Sequence, residues 1–203
     1  MRFLLLSLLF FLSFPASAAN LQGVGVFETL NKPWFMVGLY VDKNQPQEVS
    51  RLEFRVVEQR ISQQRFRQLW VEALAVAHED STWKKYEEEF EQFFSILQGP
   101  LKANDHLELE RSSSATVLKI NLREHAQFSP DFIEVLATSM IGKIVLSPQL
   151  KTGLLGELPR KEANQLLRSF ERMSPSLGRI AETSRWLRTP TTAVNNLAST
   201  PNS

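Results

Sequence analysis

The chain has 203 residues, 23 basic against 22 acidic side chains, a formal net charge of +1 and no cysteine. So even a balance leaves no electrostatic footprint for nucleic acid or for an anionic membrane surface. Without thiols there is no disulfide, so stability must come from a hydrophobic core, which a chain of this length with 43% apolar residues can bury as a single domain.

Residues 1–19 read as a secretory signal peptide. Arg2 is followed by an apolar run from Phe3 to Leu12 and by the small residues Ala16-Ser17-Ala18. The run is too short to span a bilayer and an A-x-A site follows it at once. No cysteine follows that could carry a lipid, so the expected product has no stable membrane anchor and is released, into the periplasm if the source is a Gram-negative bacterium. Loss of Arg2 then leaves 22 basic residues against 22 acidic ones.

The segment 20–159 carries the periodic patterns of the fold. Gly23 to Glu28 and Trp34 to Asp42 are rich in Val, Phe, Leu and Tyr and are separated by Leu30-Asn31-Lys32-Pro33, which predicts a strand, a tight turn and a strand. Ser50 to Glu58 alternates Leu52, Phe54 and Val56 with polar neighbours and predicts a third. The period then lengthens: Phe66, Leu69, Trp70, Ala73, Leu74 and Ala77 recur at helical spacing behind Ser62 as N-cap. A second helix is predicted from about Thr82, with Trp83, Tyr86, Phe90, Phe93, Phe94 and Leu97 on one side, ending at Gly99-Pro100. His106 to Arg111, Ala115 to Asn121 and Leu122 to Phe128 return to strand patterns, the first two joined through Ser112-Ser113-Ser114.

Ser129-Pro130 predicts the start of a helix running to Gly142, and Ser147-Pro148 the start of a short one ending near Gly156. The resulting class is α+β, with helices over one face of an antiparallel sheet. In the remaining segment, 160–203, Leu166, Leu167, Phe170 and Met173 predict an amphipathic helix broken by Ser174-Pro175. The closing TPTTAVNNLASTPNS reads as a disordered tail.

Ser139-Met140-Ile141-Gly142, a four-residue gap, Ser147-Pro148-x-Leu150-Lys151 and then Leu158-Pro159 form a pattern that resembles the chalcone isomerase family. Gly23-x-Gly25 and Gly38-Leu39-Tyr40 sit where that family has a Gly-x-Gly strand start and a Gly-x-Tyr strand end. In particular the chain looks like the exported bacterial chalcone-isomerase-like branch. The resemblance implies an open-faced β-sandwich, a large curved antiparallel sheet covered by helices, with a ligand cleft between the layers. In catalytic members an arginine holds a phenolate while hydroxyl and amide groups steady a developing enolate.

Carried over position by position, that machinery is missing. The arginine falls on Phe27 and the hydroxyl-bearing residue before Gly-x-Tyr on Phe35. An ungapped match through Ile61-Ser62 puts the tyrosine at Phe66 and the asparagine at Ala73. Only the hydroxyl of Ser139 remains. It shares a helix face with Phe132, Val135 and Leu136, and either contacts a ligand in the cleft or bonds back to the carbonyl of Val135. Fatty-acid-binding members of the family use an arginine and a tyrosine for the carboxylate. The arginine position is again Phe27, so Tyr40 and Arg55 stand as substitutes, against the plainer reading of a core tyrosine and a solvated strand arginine.

Neither a metal nor an organic cofactor is expected. His78, His106 and His125 lack the H-x-x-H or H-E-x-x-H spacing of ligands and read as exposed or locally satisfied. Chain spacing also offers no phosphate loop and no nucleophile elbow. The 14 phenylalanines are a high count, and either fill the cleft or make it an apolar pocket.

The expectation is a non-catalytic protein binding a hydrophobic or amphipathic small molecule such as a fatty acid, at Phe27, Phe35, Tyr40, Arg55, Phe66 and Ser139. The alternatives are an intramolecular lyase or isomerase working through Ser139 and Tyr40, and a filled scaffold that acts through a protein partner.

Overall fold

The computed structural model describes residues 19–188, so residues 1–18 of the expected leader 1–19 and the tail 189–203 lie outside the described residues, while Ala19 opens the first strand. Among the described residues eight strands occur: β1 (Ala19–Thr29), β2 (Lys32–Asp42), β3 (Val49–Val56), β4 (Arg60–Ile61), β5 (Leu101–Lys102), β6 (His106–Arg111), β7 (Thr116–Ile120) and β8 (Arg123–Phe128). Six of them form one antiparallel sheet in the order β1-β2-β3-β6-β7-β8, while β4 and β5 pair with each other. Between β4 and β5 the chain makes α1 (Gln63–Ala77), α2 (Asp80–Lys85) and α3 (Glu87–Phe94); after β8 come α4 (Phe132–Ile141), α5 (Pro148–Leu154), α6 (Arg160–Arg172) and α7 (Leu177–Ser184).

Alternation along the strands creates two faces. Phe35, Val37 and Leu39 of β2 join Leu52, Phe54 and Val56 of β3 in the main core, with Leu69 and Trp70 of α1, Phe93 of α3 and Leu136 of α4. Residues one position out of phase, Val24 and Met36, instead meet Phe170 of α6 in a second cluster on the opposite face. Helices α1, α3, α4 and α5 therefore follow the expected one-sided arrangement, and α6 departs from it because Leu166, Leu167, Phe170 and Met173 give it an apolar stripe to bury.

Several boundaries differ from the sequence expectation. The second aromatic helix is divided at Tyr86 (φ −111, ψ 18) into α2, which has no buried residue, and α3, which buries Phe90, Phe93 and Phe94. Ser129 does not cap α4, which starts at Phe132. The Ser129 amide and hydroxyl both bond to the carboxylate of Glu89 on α3, and a turn closed by Phe132 N–H to Ser129 O fills the gap. Beyond Pro175 the sequence offered no element, yet Ser176 caps α7 by accepting from the Arg179 amide. Below α7 lies an ion pair: Arg179 Nε and Nη2 reach the two oxygens of the fully buried Asp105 at 2.9 and 2.5 Å. Asn121 donates to the same carboxylate and to Thr183, so helix, hairpin and sheet end are tied at one point.

The motif residues of α5 and β1 have a packing role. Gly23 and Gly25 let α5 lie directly on β1: a Cβ on Gly25 would stand 2.6 Å from the Leu150 carbonyl oxygen. Ser147 caps α5 through the Leu150 amide, and Lys151 Nζ donates to the carbonyl of Gly142 at 2.7 Å, satisfying the C-terminus of α4.

Candidate ligand-binding site

Between sheet and helices a small void of about 20 Å³ remains, lined by Phe27, Phe35 and Phe54 from three adjacent strands and by Leu69, Trp70 and Ala73 of α1, with Met140 of α4. The rings form a chain, Phe27 to Phe35 at 6.4 Å, Phe35 to Phe54 at 6.0 Å and Phe54 to Trp70 at 5.4 Å between centroids. Adjacent strands place them side by side because Phe27 pairs with Phe35 and Phe35 with Val56, putting every second residue on the helix side. No polar side chain lines the void. It is large enough for about one water molecule, and a space with no polar partner stays dry.

The residues singled out from the sequence do not converge. Phe27 and Phe35 border the void. Phe66 is buried behind Trp70, 6.3 Å from it and 5.4 Å from Phe93, within the aromatic core. Ser139 is buried and donates to the carbonyl of Leu136 at 2.6 Å, one residue short of the expected Val135. Val135 is engaged by His78, whose Nε2 lies 2.8 Å from that carbonyl oxygen and therefore carries the proton. This contact ties the end of α1 to α4.

Tyr40 and Arg55 lie on the other side of the sheet. Arg51 stacks over the Tyr40 ring at 3.9 Å, and burial, followed by the charge of Glu53, raises the Tyr40 phenol above its ordinary pKa against the opposing pull of Arg51. Arg55 donates to Glu53 at 2.9 Å and to the Met173 carbonyl, and covers the ring of Phe170. It is a tether between β3 and the end of α6 and not a solvated arginine. An anionic head group within the void would meet neither Tyr40 nor Arg55.

The site expected from the sequence left out five lining residues, Phe54, Leu69, Trp70, Ala73 and Met140, together with the polar cluster on the opposite face. There Glu53 and His106, both 5% exposed, stand next to each other. Burial alone would raise the pKa of Glu53, but contact with His106 and Arg55 and the charges of His106 and Arg51 outweigh it and hold the carboxyl at about 2. His106 is thus buried and not exposed, set beside Arg55 and Glu53 of the neighbouring strand by the β3–β6 pairing. A wider groove of about 340 Å³ runs along the outer edge between β1, α5 and α6, but it carries the carboxylates of Glu28 and Glu162 and repels an anion.

No family model matches this chain, and no curated protein matches it. Among solved structures it is similar to the fatty-acid binding protein AtFAP1 of Arabidopsis thaliana, with a TM-score of 0.53 and 15% identity over 71% of this chain and 91% of that one. Identity that low speaks for the fold alone. The open six-stranded antiparallel sheet, with α1, α3, α4 and α5 packed over one face, is the chalcone-isomerase-like fold.

Proposed function

We propose that this chain is an exported, non-catalytic binding protein that takes an apolar or fatty-acid-like molecule between sheet and helices. The observation that carries this reading is the void between Phe27, Phe35, Phe54, Trp70 and Met140: it lies between sheet and helices and its lining is wholly apolar. The fold, shared with a fatty-acid binding protein, supports it. The leader-like start of the chain supports export. Acid–base catalysis has no titratable group to use at this lining, and Ser139 spends its hydroxyl on a helix carbonyl.

The present volume is far below the roughly 300–1,000 Å³ of ordinary ligand sites. Uptake therefore requires lining side chains to move. Phe27, at 9% the most exposed of them, and the flexible Met140 are the two that open the void with least disturbance. An occupant enters tail first and leaves its head group at the rim, and its affinity is reduced by the fraction of time the void is closed.

Native mass spectrometry of protein stripped of lipid and then offered long-chain fatty acids tests this. One added fatty acid per chain is expected, lost on Met140→Trp, which plugs the space. The small volume of the void favours a second reading, a packed scaffold acting through protein contacts. A chain that stays bare at every fatty-acid concentration, while folded, would establish that second reading.

A further inference from the structure

The sheet face opposite the void carries a group that chain spacing does not reveal. Glu53 on β3 pairs directly with Glu108 on β6, and its neighbour Arg55 pairs with His106, so the two carboxylates and the imidazole share one face. Their ligand atoms all lie within 4.8 Å of one another. His106 is 95% removed from solvent, and its Nε2 has no hydrogen-bond partner. It stands 3.5 Å from Glu53 Oε2, near enough for the ionic attraction that lowers the pKa of the Glu53 carboxyl but beyond a normal hydrogen bond. A buried nitrogen left so is costly unless something else binds it. The separation is close to the edge of a tetrahedron around zinc, about 3.3 Å for bonds of about 2.0–2.1 Å.

We propose that Glu53, His106 and Glu108 form a binding site for a divalent transition-metal ion, zinc by preference, with one position left to water. One imidazole and two carboxylates suit such an ion, which shares those carboxylates with Arg51, Arg55 and Lys119. The surrounding cations serve as the outer shell. Arg55 donates to Glu53 Oε2 at 2.9 Å and Lys119 to Glu108 at 2.9 Å, fixing the carboxylates.

Each competing cation has another partner to fall back on. Lys119 also holds Glu110 at 2.7 Å, and Arg51, 3.2 Å from Glu53, already stacks on the Tyr40 ring. The Glu108 side chain, 15% exposed, provides the path of entry. No function of the apolar void is needed for this site, which lies on the other face of the sheet.

Calorimetric titration of zinc into the chelator-stripped full chain tests the proposal, with calcium as a second arm and circular dichroism as the check on folding. One zinc per chain is expected in the micromolar range or tighter, with calcium not bound at comparable concentration. Glu108→Gln, at a partly exposed position, should stay folded and weaken zinc by at least about tenfold, and His106→Gln by more. X-ray absorption of the zinc complex should show one imidazole among oxygen donors. Absence of zinc binding, a preference for calcium, or full affinity in folded Glu108→Gln overturns the site.

Discussion

Gly153 of α5 and Gly25 of β1 meet backbone to backbone: a Cβ built on Gly153 would lie 2.6 Å from Gly25 Cα and 2.7 Å from the Val24 carbonyl oxygen. Nothing flexible stands there to give way. In a free helix a Gly→Ala exchange is favourable by about 1 kcal/mol. Here Gly153→Ala is expected to destabilise, by about 1–3 kcal/mol, because α5 must lift from the strand. Urea unfolding gives the sign, and a gain in stability would mean that α5 is not seated as described.

Glu53 supplies a pH dependence. Its carboxyl ordinarily titrates at 4.5 and is held at about 2 in the fold. The native state therefore binds fewer protons than the unfolded one between those values. Its contribution to stability is complete above about 4.5 and drains away as the pH falls toward 2. With a discount for partial solvent screening, Glu53→Gln in chelator-treated protein is expected to lose on the order of 2 kcal/mol at neutral pH. The gap from the parent should close between pH 4.5 and 2, as followed by denaturant melts across that range.

Arg179 anchors the C-terminal helix. Arg179→Met leaves the Asp105 carboxylate buried without its ion, and the loss is expected to be about 3 kcal/mol. The hydrogen bonds from Asn121 and the Lys102 amide remain, so the sheet should survive while α7 loosens. Hydrogen exchange should show faster amides in Leu177–Ser184 and little change in β2 and β3. Uniform protection across the chain would refute a local anchor.

The β1–β2 hairpin is closed by Leu30 and Asn31, both at positive φ (52 and 60), and Leu30 is 98% exposed. Leu has no compensation for this left-handed conformation, whereas Asn adopts it readily. Leu30→Asn is expected to raise stability by about 1 kcal/mol, visible as a Tm higher by a few degrees. An unchanged or lower Tm would count against a two-residue turn of this type.

The six strands of the main sheet, the first helix and the capped α5 were legible in the sequence because each is governed by local rules: alternation, three-and-four spacing, and Ser-Pro at a helix start; the two-residue strands β4 and β5 were not. Three further things were not legible. Ser129 looks like an N-cap, but Glu89 of α3, 40 residues earlier in the chain, takes its amide and hydroxyl. Arg179 looks like one arginine among many until Asp105 is brought beneath it. Glu53, His106 and Glu108 share no recognisable spacing, because strand pairing and not chain order places them together.

By itself, then, the sequence determined the α+β class and the order along the chain of the six main-sheet strands and of helices α1, α4 and α5. Those properties depend on neighbours along the chain. Only the tertiary structure decided that the space between sheet and helices shrinks to about 20 Å³, that Tyr40 and Arg55 are shut off from it by the sheet, and that α7 is clasped by Asp105. Volume, access and burial are sums over side chains that meet from distant segments, and no local pattern encodes such a sum.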